Sequence, residues 1–446
     1  MRPVDTLFIN GPILTQGPAG LIDPGLLAVR QGRIAAVGAY HPGDEAAFAA
    51  AETIDLSRRR HLLMPGLVNA HTHAAMTLFR GLADDLPLMD WLTHYIFPVE
   101  KNLTREWVFW GTQLACLEMI ASGTTTFCDM YLFEQAAAEA TAEAGLRAIL
   151  GEVLYDFPSP NYGPPEAGLR YSRDLIARWR GHPRLSIAVE PHAPYTCSAG
   201  LLRQCARLAE DEDVLLVIHL AETAHEDASV RQQHGLSPVR YLESLDLLSP
   251  RLLADHAIHL DDDDIGRLAT HDVAIAHNPE SNMKLASGTA PLPALLAAGL
   301  RVGLGTDGCA SNNNLDLFQE MDAAAKLQKV MRLDPTALPA GTALELATRR
   351  GAAALRLGEV CGTLEVGKAA DLILLDFDQP HLTPVYDYPS HLVYAARGAD
   401  VTDTMVDGQW LLRDRAFTTL DAGRIIAEVR RISQDIRNLV RPGHGA

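Results

Sequence analysis

Two histidines, His71 and His73, stand one residue apart at the end of the apolar run "LVNAHTH". Because alternate residues of a β-strand point to the same face, both imidazole rings are predicted to face one side of that strand. Imidazole nitrogens are common ligands of zinc, iron and related divalent metals. A His-x-His pair alone occurs often by chance, so its meaning depends on the residues that the fold brings beside it.

Other apolar runs along the chain also end in a histidine or an aspartate. Chance would scatter the 17 histidines of the chain more evenly. The shared position at strand ends therefore indicates one functional site rather than a set of unrelated buried histidines. The residues that close these runs are His192, His219, His256, His277 and Asp307.

The apolar runs alternate with helical segments, such as residues 105–123 and 198–213. Continuous apolar strands are expected where both faces of a parallel sheet are buried. The alternation predicts an α/β fold with a (β/α)8 TIM barrel, whose active site lies at the carboxyl ends of the strands. A doubly wound open sheet is the alternative, but it would carry a glycine-rich fingerprint after its first strand, which the sequence lacks.

Short apolar runs broken by glycine and proline occur near both ends of the chain of 446 residues. This texture predicts that the two ends build one small β-sandwich around the barrel segment. The predicted organisation is a first sandwich part over 1–64, the metal-dependent barrel over 65–362, a second sandwich part over 363–420 and a C-terminal helix over 421–446.

In such a barrel, His71, His73, His219 and Asp307 would meet at one mononuclear metal site with room for water. A divalent metal lowers the pKa of water so that hydroxide exists near neutral pH. Asp307 is the best-placed base for the proton of that water. The predicted fourth strand, "LSIAVEPHAPYT", has no lysine that could bridge a second metal, which favours one ion.

Two further residues are candidates for proton transfer. Glu222 follows His219 by three residues, where a partly desolvated carboxyl group can hold a proton and donate it to a substrate. The alternative for Glu222 is an ordinary acid in a solvent-facing loop. His256 would orient the attacking water and stabilise its charge, whereas the nearby His259 is interpreted as structural.

Composition narrows the classes of function. With 38 Lys and Arg against 56 Asp and Glu, the net charge of −18 disfavours binding to nucleic acid or to an anionic membrane. The sequence shows no signal peptide and no apolar segment long enough to span a bilayer. The six scattered cysteines are typical of reduced thiols. We therefore expect a cytoplasmic protein with a small-molecule partner, and a homo-oligomer.

Several stretches resemble the amidohydrolase superfamily, and within it most closely the bacterial 5-methylthioadenosine/S-adenosylhomocysteine deaminases. The resemblance covers nearly the whole chain and implies hydrolytic removal of the 6-amino group of an adenosine-like base, with release of ammonia. It implies one divalent metal ion, Zn²⁺ first and Fe²⁺ as the alternative. The stretches are "PGLVNAHTHAAMTLFRGLADDLPLMDWL", "GTTTFCDMY", "EPHAPYTCS", "HLAET", "AHNPESNMKLASG" and "GTDGCASNNNLDLFQEM".

The same resemblance implies roles for individual residues. It makes Glu222 the acid that protonates the purine ring nitrogen, and it makes Glu100 and His192 substrate contacts. A carboxylate at Glu100 suits two ribose hydroxyls, although an acid at a helix N-terminus is an equal alternative. The metal ligands that it implies are His71, His73, His219 and Asp307.

The long segment after the first barrel strand, residues 76–100, carries apolar and aromatic side chains that could stack on a base and contact a thioether tail. Trp91 is the candidate substrate contact among them, with packing or subunit contact as the alternative. The resemblance also includes an arginine at the sugar or its 5′ substituent, which the sequence does not place.

Two other functions remain in competition. The first is the same chemistry on another heterocycle, such as guanine, a pterin or a chlorotriazine, for which no diol acceptor at Glu100 is needed. The second is a non-catalytic barrel that serves as a scaffold, against which the intact ligand set argues. Serine esterases, P-loop NTPases and cytidine-type zinc deaminases are disfavoured because their motifs are missing.

Overall fold

The computed structural model of the chain describes residues 1–86 and 92–440. Its N-terminal part is built from strands, because short apolar runs there alternate with glycine-containing turns. The strand β1 pairs with β2 and β4, and it reaches β5 through Ile13 and Leu63. These strands are β1 (Arg2–Leu14), β2 (Leu21–Arg30), β3 (Arg33–Ala39), β4 (Phe48–Asp55) and β5 (His61–Pro65).

The central part contains buried strands that pair in parallel, as continuous apolar runs predict. A parallel bridge between Val189 and Leu216 connects its two hydrogen-bonded groups, and β15 pairs with β6. The strands are β6 (Leu67–His73), β7 (Thr124–Tyr131), β8 (Arg147–Leu154), β9 (Leu185–Ile187), β10 (Glu190–Pro191), β11 (Leu216–Leu220), β12 (Leu252–His256), β13 (Ala274–His277), β14 (Arg301–Leu304) and β15 (Asp307–Gly308).

The last four strands complete the sheet that the first five begin. Strand β16 pairs antiparallel with β5, with Ile373 opposite Met64, so that the two ends of the chain share one nine-stranded sheet. The sheet order is β19-β18-β17-β16-β5-β1-β2-β3, with β4 beside β1. The added strands are β16 (Leu372–Asp376), β17 (Val401–Val406), β18 (Gln409–Arg413) and β19 (Ala416–Phe417).

Helices connect and cover the parallel strands. Several begin at a side chain that accepts a main-chain N–H, as Ser198 does for Leu201 and Thr223 does for Glu226. The α-helices are α1 (Phe97–Glu100), α2 (Arg105–Ala121), α3 (Glu134–Ala144), α4 (Pro165–Trp179), α5 (Ala199–Glu212), α6 (Ala224–His234), α7 (Pro238–Ser244), α8 (Asp262–Thr270), α9 (Pro279–Lys284), α10 (Leu292–Ala297), α11 (Leu317–Arg332), α12 (Ala340–Leu346), α13 (Arg349–Ala354), α14 (Tyr388–Tyr394) and α15 (Ala422–Val440).

Short helical turns fill some of the connections. The most relevant one, Ala74–Phe79, follows His73 directly and is buried. A π-helical turn, Leu92–Ile96, precedes α1. The other 3-10 turns are Asp44–Ala47, Leu56–Arg59, Pro380–Leu382 and Gly398–Asp400.

The predicted α/β class is confirmed by these elements and by the structural neighbours reported below. The closed barrel, the sandwich form of the terminal unit and the domain boundaries stay predictions. Among the described residues, no helix combines the length and apolarity that crossing a membrane requires.

Candidate active site

Polar side chains from four parallel strands meet at the carboxyl end of those strands. His71 and His73 close β6, and Asp307 begins β15, which pairs with β6 so that Asp307 lies opposite Thr72. His219 comes from β11. Next to it in the sheet, Leu220 of β11 pairs with His256 of β12. Parallel pairing therefore brings residues that are far apart in the sequence to one edge.

The ring nitrogens of two of these histidines face each other. Nε2 of His219 lies 3.4 Å from Nε2 of His73. On the other side of each ring, Nδ1 of His219 donates to the carbonyl of His192 at 2.9 Å, and Nδ1 of His73 donates to the carbonyl of Met130. A carbonyl only accepts, so both Nδ1 atoms carry the hydrogen of these bonds, and in the neutral form of each ring Nε2 is left free to bind a metal ion. A cation between the two Nε2 atoms would satisfy both rings.

Carboxylates supply the negative charge around the same point. Oδ1 of Asp307 lies 3.1 Å from Nε2 of His73 and 3.5 Å from Nε2 of His71. Behind the ring, Oδ2 of Asp255 lies 3.2 Å from Nδ1 of His71. Burial disfavours the charged ring of His71, but the two carboxylates outweigh it and raise its pKa to about 10. The site therefore favours positive charge.

Asp307 is held in its ionised form. Burial alone would raise its pKa, but hydrogen bonds from His71 and His73 lower the pKa well below the ordinary value. Its second oxygen, Oδ2, accepts the hydroxyl groups of Ser281 at 2.6 Å and Ser311 at 2.9 Å. One oxygen thus faces the histidines while the other is fixed by hydroxyl donors.

The donor set fits a divalent metal ion. Ligand atoms of His71, His73 and His219 lie within 4.8 Å of one another, and so do those of His71, His256 and Asp307. Burial, followed by the neighbouring histidines, lowers the pKa of His219 well below its ordinary value, which keeps this ring neutral as a ligand must be. Neutral imidazoles with one carboxylate match the preferences of zinc.

His256 is fixed by its own partner and by an unusual backbone. Its Nδ1 donates to Oδ1 of Asn282 at 2.8 Å, which leaves Nε2 for the pocket. Both His256, with φ 69°, and Asp307, with φ 60°, adopt the left-handed conformation that non-glycine residues seldom take. Such strain costs about 1–3 kcal/mol per residue and concentrates at functional sites.

Glu222 lines the cavity, and a second, buried glutamate supports it from behind. Glu222 is half-buried and lines the cavity. The buried carboxylate of Glu226 accepts the main-chain N–H groups of Ala221 at 2.9 Å and of Glu222 at 2.8 Å. Burial raises the pKa of Glu226 to about 8, against the effect of these two hydrogen bonds. Glu226 therefore fixes the loop that presents Glu222.

A cavity of about 360 Å³ extends from these groups. Polar atoms gather at its inner end, and aromatic and aliphatic side chains line the rest. The lining residues are His73, Met76, Phe97, Glu100, Met130, Tyr131, Leu132, Val153, Tyr155, Phe157, His192, Tyr195, Thr196, His219, Glu222, His256, Leu285, Asp307 and Ser311.

Two of the predicted substrate contacts lie in this cavity. Glu100 accepts the hydroxyl of Tyr131 at 2.8 Å, and burial raises the pKa of Glu100 although that hydroxyl and His73 favour the ionised form. His192 shares a hydrogen bond of 2.9 Å with Thr196. Burial lowers the pKa of His192 to about 4, so its ring is neutral at neutral pH.

The remaining residues that the sequence singles out are not among the described lining of the cavity. Trp91 falls outside the described residues. His277 ends β13 but is fully buried, does not line the cavity, and has its pKa lowered to about 3 by burial. His259 bonds to the carbonyl of Ser287 at 2.8 Å, away from the cavity lining.

Sequence reasoning missed the residues that hold the site from behind, namely Asp255, Asn282, Glu226, Ser281 and Ser311. One of them carried a signal. Thr223 caps α6 and Glu226 follows three residues later, the spacing of a capping box, directly after "HLAE". The others come from segments with no periodic relation to their partners.

The amidohydrolase family profile matches residues 62–411 of the chain. This stretch begins in β5, ends in β18 and contains every residue of the site described above.

Similar proteins are known over the full length of the chain. The 5-methylthioadenosine/S-adenosylhomocysteine deaminase of Syntrophobacter fumaroxidans is 55% identical over 97% of this chain and 98% of that protein. The 5-methylthioadenosine/S-adenosylhomocysteine deaminase 1 of Syntrophus aciditrophicus is 49% identical over 99% of both chains.

Solved structures agree. A zinc-bound adenosine deaminase from Xanthomonas campestris superimposes with a TM-score of 0.95 at 40% identity, covering 98% of this chain and 99% of that one. An atrazine chlorohydrolase from Arthrobacter aurescens superimposes with a TM-score of 0.88 at 23% identity, covering 96% of this chain and 100% of that one. At this identity the match indicates a shared fold and nothing about function. The resemblance drawn from the sequence is thus confirmed, and the chain belongs to the amidohydrolase family.

Proposed function

We propose that this protein is a metal-dependent hydrolytic deaminase that converts 5′-methylthioadenosine, S-adenosylhomocysteine or adenosine into the inosine analogue and ammonia. The observation that carries the proposal is the pair of Nε2 atoms of His73 and His219, 3.4 Å apart beside Asp307, at the end of a cavity that also contains Glu222. Relatives at 49% and 55% identity bear the name of this activity.

His71, His73, His219 and Asp307 would hold the ion, and Zn²⁺ is proposed ahead of Fe²⁺. When bound, the ion supplies a Lewis acid that lowers the pKa of water. The zinc-bound adenosine deaminase from Xanthomonas campestris supports the choice of metal.

The chain's own residues carry the protons. Asp307, ionised and fixed by two hydroxyl donors, accepts a proton from the attacking water. Glu222 donates a proton to the ring nitrogen of the purine, which makes C6 more electrophilic. His256, with Nδ1 bound to Asn282, directs Nε2 at the water and stabilises its developing charge.

Substrate is held further out. The carboxylate of Glu100 accepts the ribose hydroxyls, and Tyr131 fixes that carboxylate in place. The neutral ring of His192, which directly follows β10, also contacts the nucleoside. Trp91 stays a predicted contact of the base or its tail.

An assay of the purified, zinc-loaded protein tests the proposal. Loss of the adenine absorbance and release of ammonia are measured with methylthioadenosine, S-adenosylhomocysteine and adenosine, and the metal content is determined on the same sample. The matched variant Glu222→Gln should keep its metal but lose turnover by about 10²–10⁴-fold. Absence of turnover on all three nucleosides, with metal bound, would discard the proposed function.

We also propose a closed barrel, a cytoplasmic location and a homo-oligomeric state. We infer a closed (β/α)8 barrel from the parallel pairings that return from β15 to β6. The six cysteines are free and buried, which supports a cytoplasmic location. Exposed apolar side chains at the end of α11, Val330, Met331 and Leu333, support a homo-oligomer.

A further inference from the structure

We propose that the outer part of the cavity selects nucleosides with an uncharged 5′ substituent over those that carry an amino-acid tail. This inference rests on the proposed deaminase function and specifies its substrate: the methylthio nucleoside rather than the homocysteinyl one.

The cavity changes character at His192. On the inner side, the ring of His192 lies 5.0 Å from that of His219, centroid to centroid. On the outer side it lies 6.5 Å from Tyr155 and 6.0 Å from Tyr195. With the base beside the metal ligands and the ribose at Glu100, the 5′ substituent extends past His192 toward these aromatic rings.

Aromatic side chains dominate that outer part. The rings of Tyr155 and Phe157 stack at 3.8 Å with an interplanar angle of 9°. Phe157 is 45% exposed, and Tyr195 and Phe97 are each 39% exposed, although large apolar side chains usually avoid solvent. Aromatic faces left open beside a cavity suit a methyl thioether or another apolar group.

The charges in and around the cavity are negative. Its described lining contains no lysine or arginine but does contain the carboxylates of Glu100, Glu222 and Asp307. Asp156, which stands between Tyr155 and Phe157 in the sequence, adds an exposed carboxylate that accepts the main-chain N–H of Ser198.

Among the described residues, two lysines stand beside lining residues in the sequence, and neither belongs to the lining. Lys101 follows Glu100 and is exposed. Lys284 precedes the lining residue Leu285, but its Nζ contacts Asp84 at 2.5 Å and the carbonyl of Ala310 at 3.3 Å.

A homocysteinyl tail carries both an ammonium and a carboxylate group. Its ammonium group can approach the acidic rim, but its carboxylate would lose water without gaining a cation, and an unpaired charge is costly to desolvate. We expect kcat/KM for the homocysteinyl nucleoside to be about 10–100-fold below that for the methylthio nucleoside.

Four 5′-thioadenosines separate charge from length: methylthio, n-propylthio, 3-aminopropylthio and homocysteinyl. The expected order of kcat/KM places the methylthio and propylthio compounds first and the homocysteinyl compound last, with the aminopropyl compound between. Equal kcat/KM for the methylthio and homocysteinyl compounds would overturn the inference and leave the deaminase function intact. Turnover of none of the four would overturn the function itself.

Two variants test the cause. Phe157→Arg supplies a cation at the rim, and Asp156→Asn removes a negative charge while keeping an acceptor for Ser198. Each should raise the homocysteinyl/methylthio ratio of kcat/KM, by about tenfold for the arginine. The control Tyr386→Arg adds the same charge at a side chain that is 90% exposed and not part of the lining, and should leave the ratio unchanged. A ratio unchanged in both rim variants would show that charge is not the cause.

Discussion

The two ends of the cavity are built on different principles. At the inner end, hydrogen bonds hold the groups of the proposed site: Nδ1 of His219 by one carbonyl, Asp307 by two hydroxyl groups, and His256 by Asn282. At the outer end, Phe157 is held by stacking on Tyr155 and is open to solvent. The inner end has one geometry, whereas the outer end can adapt.

This difference separates reaction from selection. A network in which every polar group has a partner is rigid, and it loses function when one member is removed. Apolar contacts on aromatic faces are non-directional and tolerate changes in shape. We therefore expect inner-end substitutions to lower kcat and outer-end substitutions to change the ranking of substrates.

Removal of a metal ligand is the strongest way to test the inner end. His219→Ala should lose bound metal and reduce turnover at least about 10³-fold, because no metal remains to activate water. Elemental analysis and the deamination assay check this. His259→Ala is the matched control, because that histidine bonds to Ser287 outside the cavity lining. Unaltered zinc content and turnover in His219→Ala would contradict the site.

Removal of a supporting residue comes next. Asn282→Ala frees Nδ1 of His256, so the ring loses its orientation while the ligand set stays complete. A drop in kcat of about 10–100-fold at unchanged zinc content is expected. Asn282→Asp keeps an acceptor for Nδ1 and should recover most of the rate; equal loss in both variants would contradict the orienting role.

Glu226 tests whether the loop that presents Glu222 must be fixed. Above about pH 8, where Glu226 is ionised and both of its oxygens accept, Glu226→Gln keeps the size of the side chain but replaces one acceptor oxygen by a donor, so one of the N–H groups of Ala221 and Glu222 loses its partner. We expect kcat to fall about tenfold with little change in KM. A rise in KM alone would instead assign Glu226 to substrate binding.

The same variant gives a pH signature. In the fold the pKa of Glu226 is raised to about 8 from 4.5, so the folded protein keeps a proton that the unfolded chain releases. The contribution of Glu226 to stability therefore falls as the pH rises from about 5 to about 8, by about 1 kcal/mol per pH unit. Urea denaturation at several pH values should show this slope in the wild type relative to Glu226→Gln, and parallel curves would refute it.

The smallest effect is expected midway along the cavity. Tyr131→Phe removes the hydroxyl that fixes Glu100, at 2.8 Å. KM for nucleosides should rise about three- to tenfold with kcat nearly unchanged, the range for one hydrogen bond. A purine analogue without ribose serves as the comparison substrate, and its KM should not change.

Much of this arrangement was predictable because strands have a simple period. The run "LVNAHTH" corresponds residue for residue to β6, and the runs "VLLVIHLAE" and "LLADHAIHL" contain β11 and β12. Parallel pairing then places the carboxyl ends together without further information. The fold class and most of the residues that meet at the inner end follow from that rule, whereas His277 also ends a strand but is buried outside the cavity lining.

The supporting residues were not predictable in the same way. Asp255 precedes His256 in β12 and faces His71, a pairing that only the register of neighbouring strands determines. The left-handed backbone at His256 and Asp307 also has only a weak local signal, because aspartate and histidine adopt it more often than most non-glycine residues but still seldom. Both features depend on tertiary contacts that override local preference.

The shared terminal sheet has a consequence for how the chain is made. Strand β5 hydrogen-bonds to β16, which is synthesised only after all the parallel strands. Until β16 leaves the ribosome, β5 presents an unpaired apolar edge that can aggregate. The terminal sheet can therefore form completely only after the last quarter of the chain has been synthesised, and the risk that β5 pairs with another chain ends at that point.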